Sequence, residues 1–197
     1  MKKLSLIIFF LLTLQNLSYA DTISEYEEAG LKLGKSILEV MTFEKIIESV
    51  VKRSKDERYL TVEYVPDTSV YPSIDFNYYL ITIDMSNDEL KIASFTAMEY
   101  LPNDFEGCVK KQNIYANKFE KILRIKKEII PIRDFSDLYG AGSKWRAIIF
   151  EYPVKANAAS VLCYHYGTFP ENDLFGKDNL KISVLTRKYA DAITIDK

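Results

Sequence analysis

The sequence predicts an α+β fold in which helices pack on an antiparallel sheet. Apolar residues recur with a period near 3.6 in two segments and with a period of 2 in most others. The links between neighbouring strands are too short to cross between parallel strands, so we expect an antiparallel sheet. The order helix, strands, helix, strands also predicts two helix-plus-three-strand units in tandem.

The first 20 residues have the pattern of a cleavable signal peptide. Met1-Lys2-Lys3 is positively charged, and residues 4–14 form an apolar run of 11 residues. A membrane-spanning helix needs roughly 20 such residues. Ser18 and Ala20 place small side chains at the third and first positions before a cut, which predicts cleavage between Ala20 and Asp21. We expect residues 21–197 to form one α+β domain, periplasmic or secreted.

Composition and charge narrow the class of partner. The 48% apolar and 27% charged content is typical of a packed globular chain. Losing Lys2 and Lys3 with the leader lowers the basic count from 26 to 24 against 28 acidic residues, so the net charge goes from −2 to −4. No basic excess of the kind that binds nucleic acid is present. We therefore expect no nucleic acid partner, and no membrane span after residue 20.

The first helical pattern covers residues 22–53. Its second part repeats apolar side chains at steps of three and four, namely Phe43, Ile46, Ile47, Val50 and Val51. The hydroxyl of Thr42 can cap this part. Gly30 and Gly34 each lower helix propensity by about 1 kcal/mol, so we expect a break or kink between the two parts.

The period then changes to that of strands. Residues 59–65 read as a strand and 66–72 as a turn, and residues 77–84 and 90–97 read as a hairpin. Pro102-Asn103-Asp104 opens the second helix. One face of that helix carries Phe105, Cys108, Val109, Ala116, Phe119 and Ile122.

The second half again alternates. We predict strands over the ranges 125–132, 145–152, 160–166 and 180–187, and an edge strand over 191–195. A glycine-containing loop over 135–143 and a long polar loop over 169–179 separate them.

Cys108 and Cys163 are the two cysteines of the chain. An oxidising compartment favours joining them. A crosslink over 55 residues contributes on the order of 4 kcal/mol in the chain-entropy model. The alternative is a pair of separate buried thiols, because sequence does not show whether the two Cα atoms approach within about 7 Å.

The sequence nominates no catalytic residue. His165 is the single histidine and shares a strand face with Cys163 and Val161. This spacing allows an imidazole-activated thiol, but no third orienting residue can be named, and a disulfide would abolish the scheme. The pattern favours a histidine packed in the sheet or at its rim.

Metal and cofactor sites are also not indicated. The oxygen-rich stretch Glu171-Asn172-Asp173, followed by Asp178-Asn179, invites calcium, but Phe175 stands where a calcium loop needs a ligand. Gly140-Ala141-Gly142-Ser143 matches neither a phosphate loop nor a nucleophile elbow. We expect no metal and no cofactor.

Aromatic residues are abundant, with 14 tyrosines and 11 phenylalanines against one tryptophan. Exposed tyrosine on a strand suits recognition of a protein or a sugar, although tyrosine is also simply a good strand former. Two groups stand out: Tyr71, Phe76, Tyr78 and Tyr79, and Tyr152, Tyr164, Tyr166 and Phe169.

Together these features predict an exported bacterial binding protein without a catalytic centre. The first choice of partner is a protein, as for an inhibitor, an immunity protein or an envelope accessory factor. The alternatives are an extracytoplasmic hydrolase using unidentified carboxylates and a small-ligand carrier. The sequence does not predict the oligomeric state.

Overall fold

An eight-stranded antiparallel sheet forms the framework of the protein and confirms the predicted α+β class. A computed structural model describes residues 23–55, 57–72, 75–76, 78–151, 157–167 and 178–195. The predicted leader, with its cut between Ala20 and Asp21, lies outside these residues and stays a prediction. No described helix is long and apolar enough to cross a membrane.

The described strands are numbered in chain order. They are β1 (Glu27–Glu28), β2 (Leu31–Lys32), β3 (Val50–Arg53), β4 (Tyr59–Tyr64), β5 (Tyr78–Asp84), β6 (Lys91–Tyr100), β7 (Glu128–Asp134), β8 (Lys144–Glu151), β9 (Ala158–His165) and β10 (Asn179–Leu185). The described helices are α1 (Phe43–Glu48), α2 (Phe105–Leu123), α3 (Ser136–Tyr139) and α4 (Arg187–Ile195), with a 3-10 turn at Ile37–Glu39.

The sheet consists of two meanders joined through their last strands. Its order is β3-β4-β5-β6-β10-β9-β8-β7, and β6 pairs antiparallel with β10. In each half of the described chain a helix, α1 or α2, precedes four consecutive strands. Each half therefore contains a helix followed by four strands, whereas the predicted unit had a helix and three strands.

The predicted helix over residues 22–53 is wrong for most of its length. Only Phe43–Glu48 is α-helical, and Thr42 caps it by accepting a hydrogen bond from the Lys45 N–H at 3.4 Å. The chain turns at Ser49 and enters β3, because Val50 pairs with Val62 of β4 at the edge of the sheet. The apolar spacing was correct locally, but strand pairing overrides helix propensity after one and a half turns.

Gly30 and Gly34 mark turns rather than a helix kink. Their φ angles are 79° and 78°, in the region that side chains with a Cβ rarely adopt. Gly30 lies in the link between β1 and β2, and a Cβ there would collide with the Tyr71 hydroxyl. These two residues explain why the first part of the segment is not helical.

The predicted edge strand over residues 191–195 is also wrong, because this stretch belongs to α4. Thr186 begins the helix: its hydroxyl accepts from the Tyr189 N–H at 3.3 Å, and its carbonyl accepts from the Ala190 N–H at 3.0 Å. The helix folds back on β5, where the Lys188 ammonium lies 2.7 Å from Asp84.

One face of the sheet carries the core and is covered by α2 and by residues 23–41. As predicted, α2 buries Phe105, Cys108, Ala116 and Phe119 against the strands. Ile122 departs from the prediction and is 39% exposed. Gln112 takes a buried place on the face, where its Nε2 donates to the Arg146 and Val161 carbonyls at 3.0 and 2.7 Å.

The predicted disulfide is confirmed. Cys108 on α2 and Cys163 on β9 are bonded, with their Cα atoms 5.9 Å apart. Both residues are buried in the core. The bond therefore ties the crossover helix to the middle of the second meander.

Candidate functional site

His165 is the last residue of β9 and contacts the carboxylate of Asp178, which the sequence did not predict as its partner. Its Nδ1 lies 2.7 Å from Oδ2 of Asp178. Cys163 is oxidised in the disulfide, so no thiol remains for the imidazole to activate and the thiol-histidine scheme is excluded. The sequence did not predict this contact because Asp178 follows the histidine by 13 residues, within a stretch predicted to be a polar loop.

Asp178 joins three segments at one end of the sheet. Its Oδ1 accepts from the Tyr166 N–H at 2.7 Å, and its Oδ2 also accepts from the Asn103 N–H at 2.8 Å. Its own carbonyl accepts from the Leu101 N–H at 2.9 Å. The residue is only 8% exposed. These bonds describe a structural joint between the ends of β6, β9 and β10.

The serine of the Gly140-Ala141-Gly142-Ser143 stretch is buried. The Ser143 hydroxyl accepts from the Gly167 N–H at 2.9 Å, and its N–H donates to the Gly140 carbonyl at 3.1 Å. A Cβ on Gly167 would collide with the Ala141 carbonyl oxygen. The stretch is thus a tightly packed turn before β8, and a substrate cannot reach its serine.

Within the part of the chain that the structure describes, no three histidine, cysteine or acidic side chains gather as a metal site. The predicted oxygen-rich loop at Glu171-Asn172-Asp173 falls outside the described residues. Asp178, which was grouped with it, is engaged by His165 and two backbone N–H groups.

A cavity of about 350 Å³ lies beside α1. Its polar lining includes Lys45, Glu48, Ser49 and Glu63, together with the Tyr64 side chain. Burial raises the pKa of Tyr64 to about 12, so its phenol stays protonated at neutral pH. This lining carries both signs of charge, and its Ser49 hydroxyl donates to the Lys45 carbonyl at 2.7 Å.

The larger candidate is the face of the sheet opposite α2, here called the second face. α4 lies at its lower end, where Tyr189 contacts Tyr59 edge-on at 5.0 Å between ring centroids. Phe135 lies at its upper end, against Tyr164 and Tyr166. Between them one row crosses six strands, and its members in spatial order are Tyr78, Met98, Lys181, Leu162, Ala147 and Ile130.

The next row of the second face is smaller and more polar at its centre. It runs in spatial order through Glu63, Leu80, Thr96, Ser183, Ser160, Ile149 and Glu128. The Thr96 and Ser183 hydroxyls share a hydrogen bond of 2.9 Å. Leu80, Ser160 and Ile149 are all partly exposed, so this part of the face is accessible.

Comparison with models of known families, with curated proteins and with solved structures finds no match. The chemistry of this face therefore rests on its own residues.

Lys181 lies near the centre of the second face, on the inner strand β10. Its row neighbours are Met98 and Leu162, and its Nζ lies 4.9 Å from the centroid of the Tyr164 ring. Burial lowers the pKa of this lysine. No carboxylate of the described residues forms an ion pair with it.

Tyrosines flank Lys181 on both sides. Tyr164 and Tyr166 stack at 5.8 Å between centroids, and Tyr78 lies 6.3 Å from Tyr100. The Tyr78 hydroxyl donates to Glu63 at 2.6 Å. Burial and this carboxylate raise the pKa of Tyr78, so the phenol remains a hydrogen-bond donor.

The two aromatic groups picked out in the sequence are divided by the pleat of the strands. Tyr78, Tyr164 and Tyr166 belong to the second face and its upper end, whereas Phe76 and Tyr79 are buried in the core. Tyr71 lies against Gly30. Tyr152 and Phe169 fall outside the described residues.

Proposed function

We propose that this protein is an exported binding protein that engages a protein partner through the second face of its sheet. The observation that carries the proposal is that Tyr78, Leu80, Leu162 and Ile149, which are apolar or aromatic, are all partly exposed on the second face. Interfaces between proteins are enriched in tyrosine, which gives a large contact area at low entropic cost.

Two features support export. The leader pattern ends at Ala20, and the buried disulfide between Cys108 and Cys163 is of the kind that forms in oxidising compartments. A protein exposed to the envelope or the medium meets other exported proteins as its available partners.

The rigidity of the second face also favours binding. Its strands are held by ladder pairing on both sides and by the hydroxyl bonds between Thr96 and Ser183 and between Thr61 and Thr82. A rigid surface loses little conformational entropy when a partner docks on it. The face therefore suits recognition without rearrangement.

The test is capture from the native envelope with residues 21–197 tagged at the C terminus. We expect one stoichiometric protein partner with the unmodified protein, and loss of that partner with Leu80→Arg, which places a charge on the second face. Ile114→Arg is the matched control, because Ile114 is 66% exposed on α2, on the other side of the sheet.

The two variants must melt within a few degrees of the parent protein for the comparison to hold. A partner that is lost with Ile114→Arg and kept with Leu80→Arg would place the interface on α2. Turnover of an envelope polymer by the purified protein, with no stable complex, would overturn the proposal in favour of an enzyme.

A further inference from the structure

The fold does not need a lysine at position 181. The neighbouring positions in its row are Met98 and Leu162, which are apolar, and the Tyr164 ring lies over its ammonium. The side chain points to the second face, because its sequence neighbours Leu180 and Ile182 are fully buried on the core side. A methionine or leucine would fill this position without bringing a charge.

The carboxylates of Glu63, Glu128 and Asp84, which described strands place on the second face, are distant from this ammonium. Glu63 and Glu128 lie in the adjoining row on β4 and β7, each three strand positions from β10. That separation is roughly 14 Å at the usual strand spacing. Glu63 already accepts a hydrogen bond from Tyr78. Asp84, at the lower end, is paired with Lys188.

Among the described residues, the Lys181 ammonium contacts an aromatic ring and no carboxylate, so this partly buried cation is incompletely stabilised. A ring contact contributes about 1 to 2 kcal/mol, which is less than the cost of removing an ammonium from water. An incoming anion therefore meets a cation that has already lost part of its hydration. Its binding gains the ion pair without the full desolvation cost on the lysine side.

We propose that Lys181 binds a carboxylate, the side chain of an aspartate or glutamate that the protein partner places on the second face. This inference rests on the proposed function and adds the chemistry of the partner's contact residue. Charge complementarity carries it: Lys181 lies near the centre of the face, and no carboxylate of the described residues forms an ion pair with it.

The surroundings of Lys181 fit an amino-acid side chain. The partly exposed Leu162 gives an apolar contact for the aliphatic part of a glutamate, and the Tyr164 ring borders the ammonium. A single ammonium matches a compact, singly charged carboxylate, whereas phosphate is usually held by several cationic or N–H donors.

The test uses a defined probe, so that it does not depend on finding the partner. The protein, residues 21–197, is labelled with 13C-lysine, and the Cε–Hε signal of Lys181 is assigned from its absence in Lys181→Arg. The probe is the blocked tripeptide acetyl-Leu-Glu-Leu-amide, and the matched probe is acetyl-Leu-Gln-Leu-amide.

We expect the glutamate peptide to shift the Lys181 signal saturably and the glutamine peptide to bind about tenfold more weakly, as expected for loss of one charge-assisted bond. The signal of Lys118, an exposed lysine on α2, should not move. Equal responses to the two peptides, or no saturable shift at Lys181, would overturn the inference. A response to galacturonate but not to the glutamate peptide would overturn it in favour of an acidic sugar.

The capture experiment then separates the two proposals. If a partner binds Lys181→Met as tightly as the parent protein, the carboxylate assignment fails while the binding function stands. If no partner is captured but the glutamate peptide binds at Lys181, the assignment of an acidic ligand stands and the protein partner fails.

Discussion

Lys181 should destabilise the fold to which it belongs. Burial lowers the pKa of this lysine, and a shift in that direction means that the folded state holds the proton less tightly than the unfolded chain. The ring of Tyr164 offsets only part of that cost. A residue that lowers stability at a partly exposed position is typical of a surface kept for binding.

Lys181→Met should raise the free energy of unfolding at pH 7 by about 1 kcal/mol, since it replaces a desolvated cation with an apolar chain of similar length. The unfolded state binds more protons than the folded state between the lowered pKa and the ordinary value near 10.5. The parent's stability therefore rises across that window relative to the variant's.

Urea unfolding of the parent and Lys181→Met from pH 6 to pH 11 measures this difference, with Lys118→Met as the control at an exposed site. A Lys181→Met protein that is less stable at every pH would show that the lysine has an anionic partner in the isolated protein.

Gly30 and Gly34 provide a matched pair with different surroundings. Both have positive φ, but a Cβ on Gly30 meets Tyr71 and Val40, whereas a Cβ on Gly34 meets nothing. We expect Gly34→Ala to lower the free energy of unfolding by about 1 kcal/mol from backbone strain alone, and Gly30→Ala by about 2 to 3 kcal/mol. Equal losses in thermal or urea unfolding would mean that the turn around Gly30 adapts.

At the residue scale, the sequence predicts which kind of residue has a structural role better than it predicts which residues contact each other. The disulfide between Cys108 and Cys163 was predictable because the chain has two cysteines and the leader indicates an oxidising compartment. Asp178 was not predictable as the partner of His165, since the contact depends on how a long loop returns to the sheet. Lys181 carried no signal either, because a charge in an alternating strand reads as a solvent-facing position.

α4 is the element whose position depends most on a charged contact. The Lys188 ammonium lies 2.7 Å from Oδ2 of Asp84, and the Ser86 N–H donates to Oδ1 at 3.0 Å. Although burial opposes the shift, these groups lower the pKa of Asp84 to about 2. The contribution to stability is present above pH 4, near the ordinary aspartate pKa, and is lost as the pH falls towards 2.

Asp84→Asn should therefore lower the free energy of unfolding by on the order of 2 kcal/mol at pH 7 and by little at pH 2. Arg187→Met is the control, because Arg187 pairs with Asp191 in an exposed pair on the same helix. Losing this exposed pair should lower the free energy of unfolding by less than about 0.5 kcal/mol, which is the usual contribution of such pairs. Chemical denaturation at the two pH values gives both numbers, and an Asn variant as stable as its parent at pH 7 would contradict the account.

At the element scale, long regular patterns were read correctly and short mixed ones were not. α2 and the strands β5, β6, β8 and β10 have enough periodic residues for the pattern to decide. The prediction for the region before β4 was wrong because its apolar spacing fits a helix, while strand pairing determines its structure. The prediction for α4 was wrong because five of its residues alternate as in a strand, and because the sequence did not predict the Thr186 cap.

The whole molecule depends on the joint between its two meanders. The strands β6 and β10 pair over seven residues, from Ser94 with Leu185 to Tyr100 with Asn179. α2 connects the halves in sequence, and the disulfide fixes that helix to β9. The second face spans both halves, so its central row exists only when the halves are joined.

Removing the disulfide tests how firmly α2 is held to the second meander. Cys108→Ala combined with Cys163→Ala should lower the free energy of unfolding by on the order of 4 kcal/mol, since the bond closes a loop of 55 residues. Urea unfolding of the double variant and of the oxidised parent under the same conditions measures it. A loss below about 1 kcal/mol would mean that the crossover helix is held by packing alone.

The central claim is that a protein partner binds the second face, and site-specific photocrosslinking in the native host tests it most directly. A photoreactive amino acid is placed at Ser160, in the middle of the face, or at Ile114 on α2. The account predicts one crosslinked protein from the Ser160 position and none from Ile114. A crosslink confined to Ile114, or none at Ser160 while the protein is functional, would contradict it.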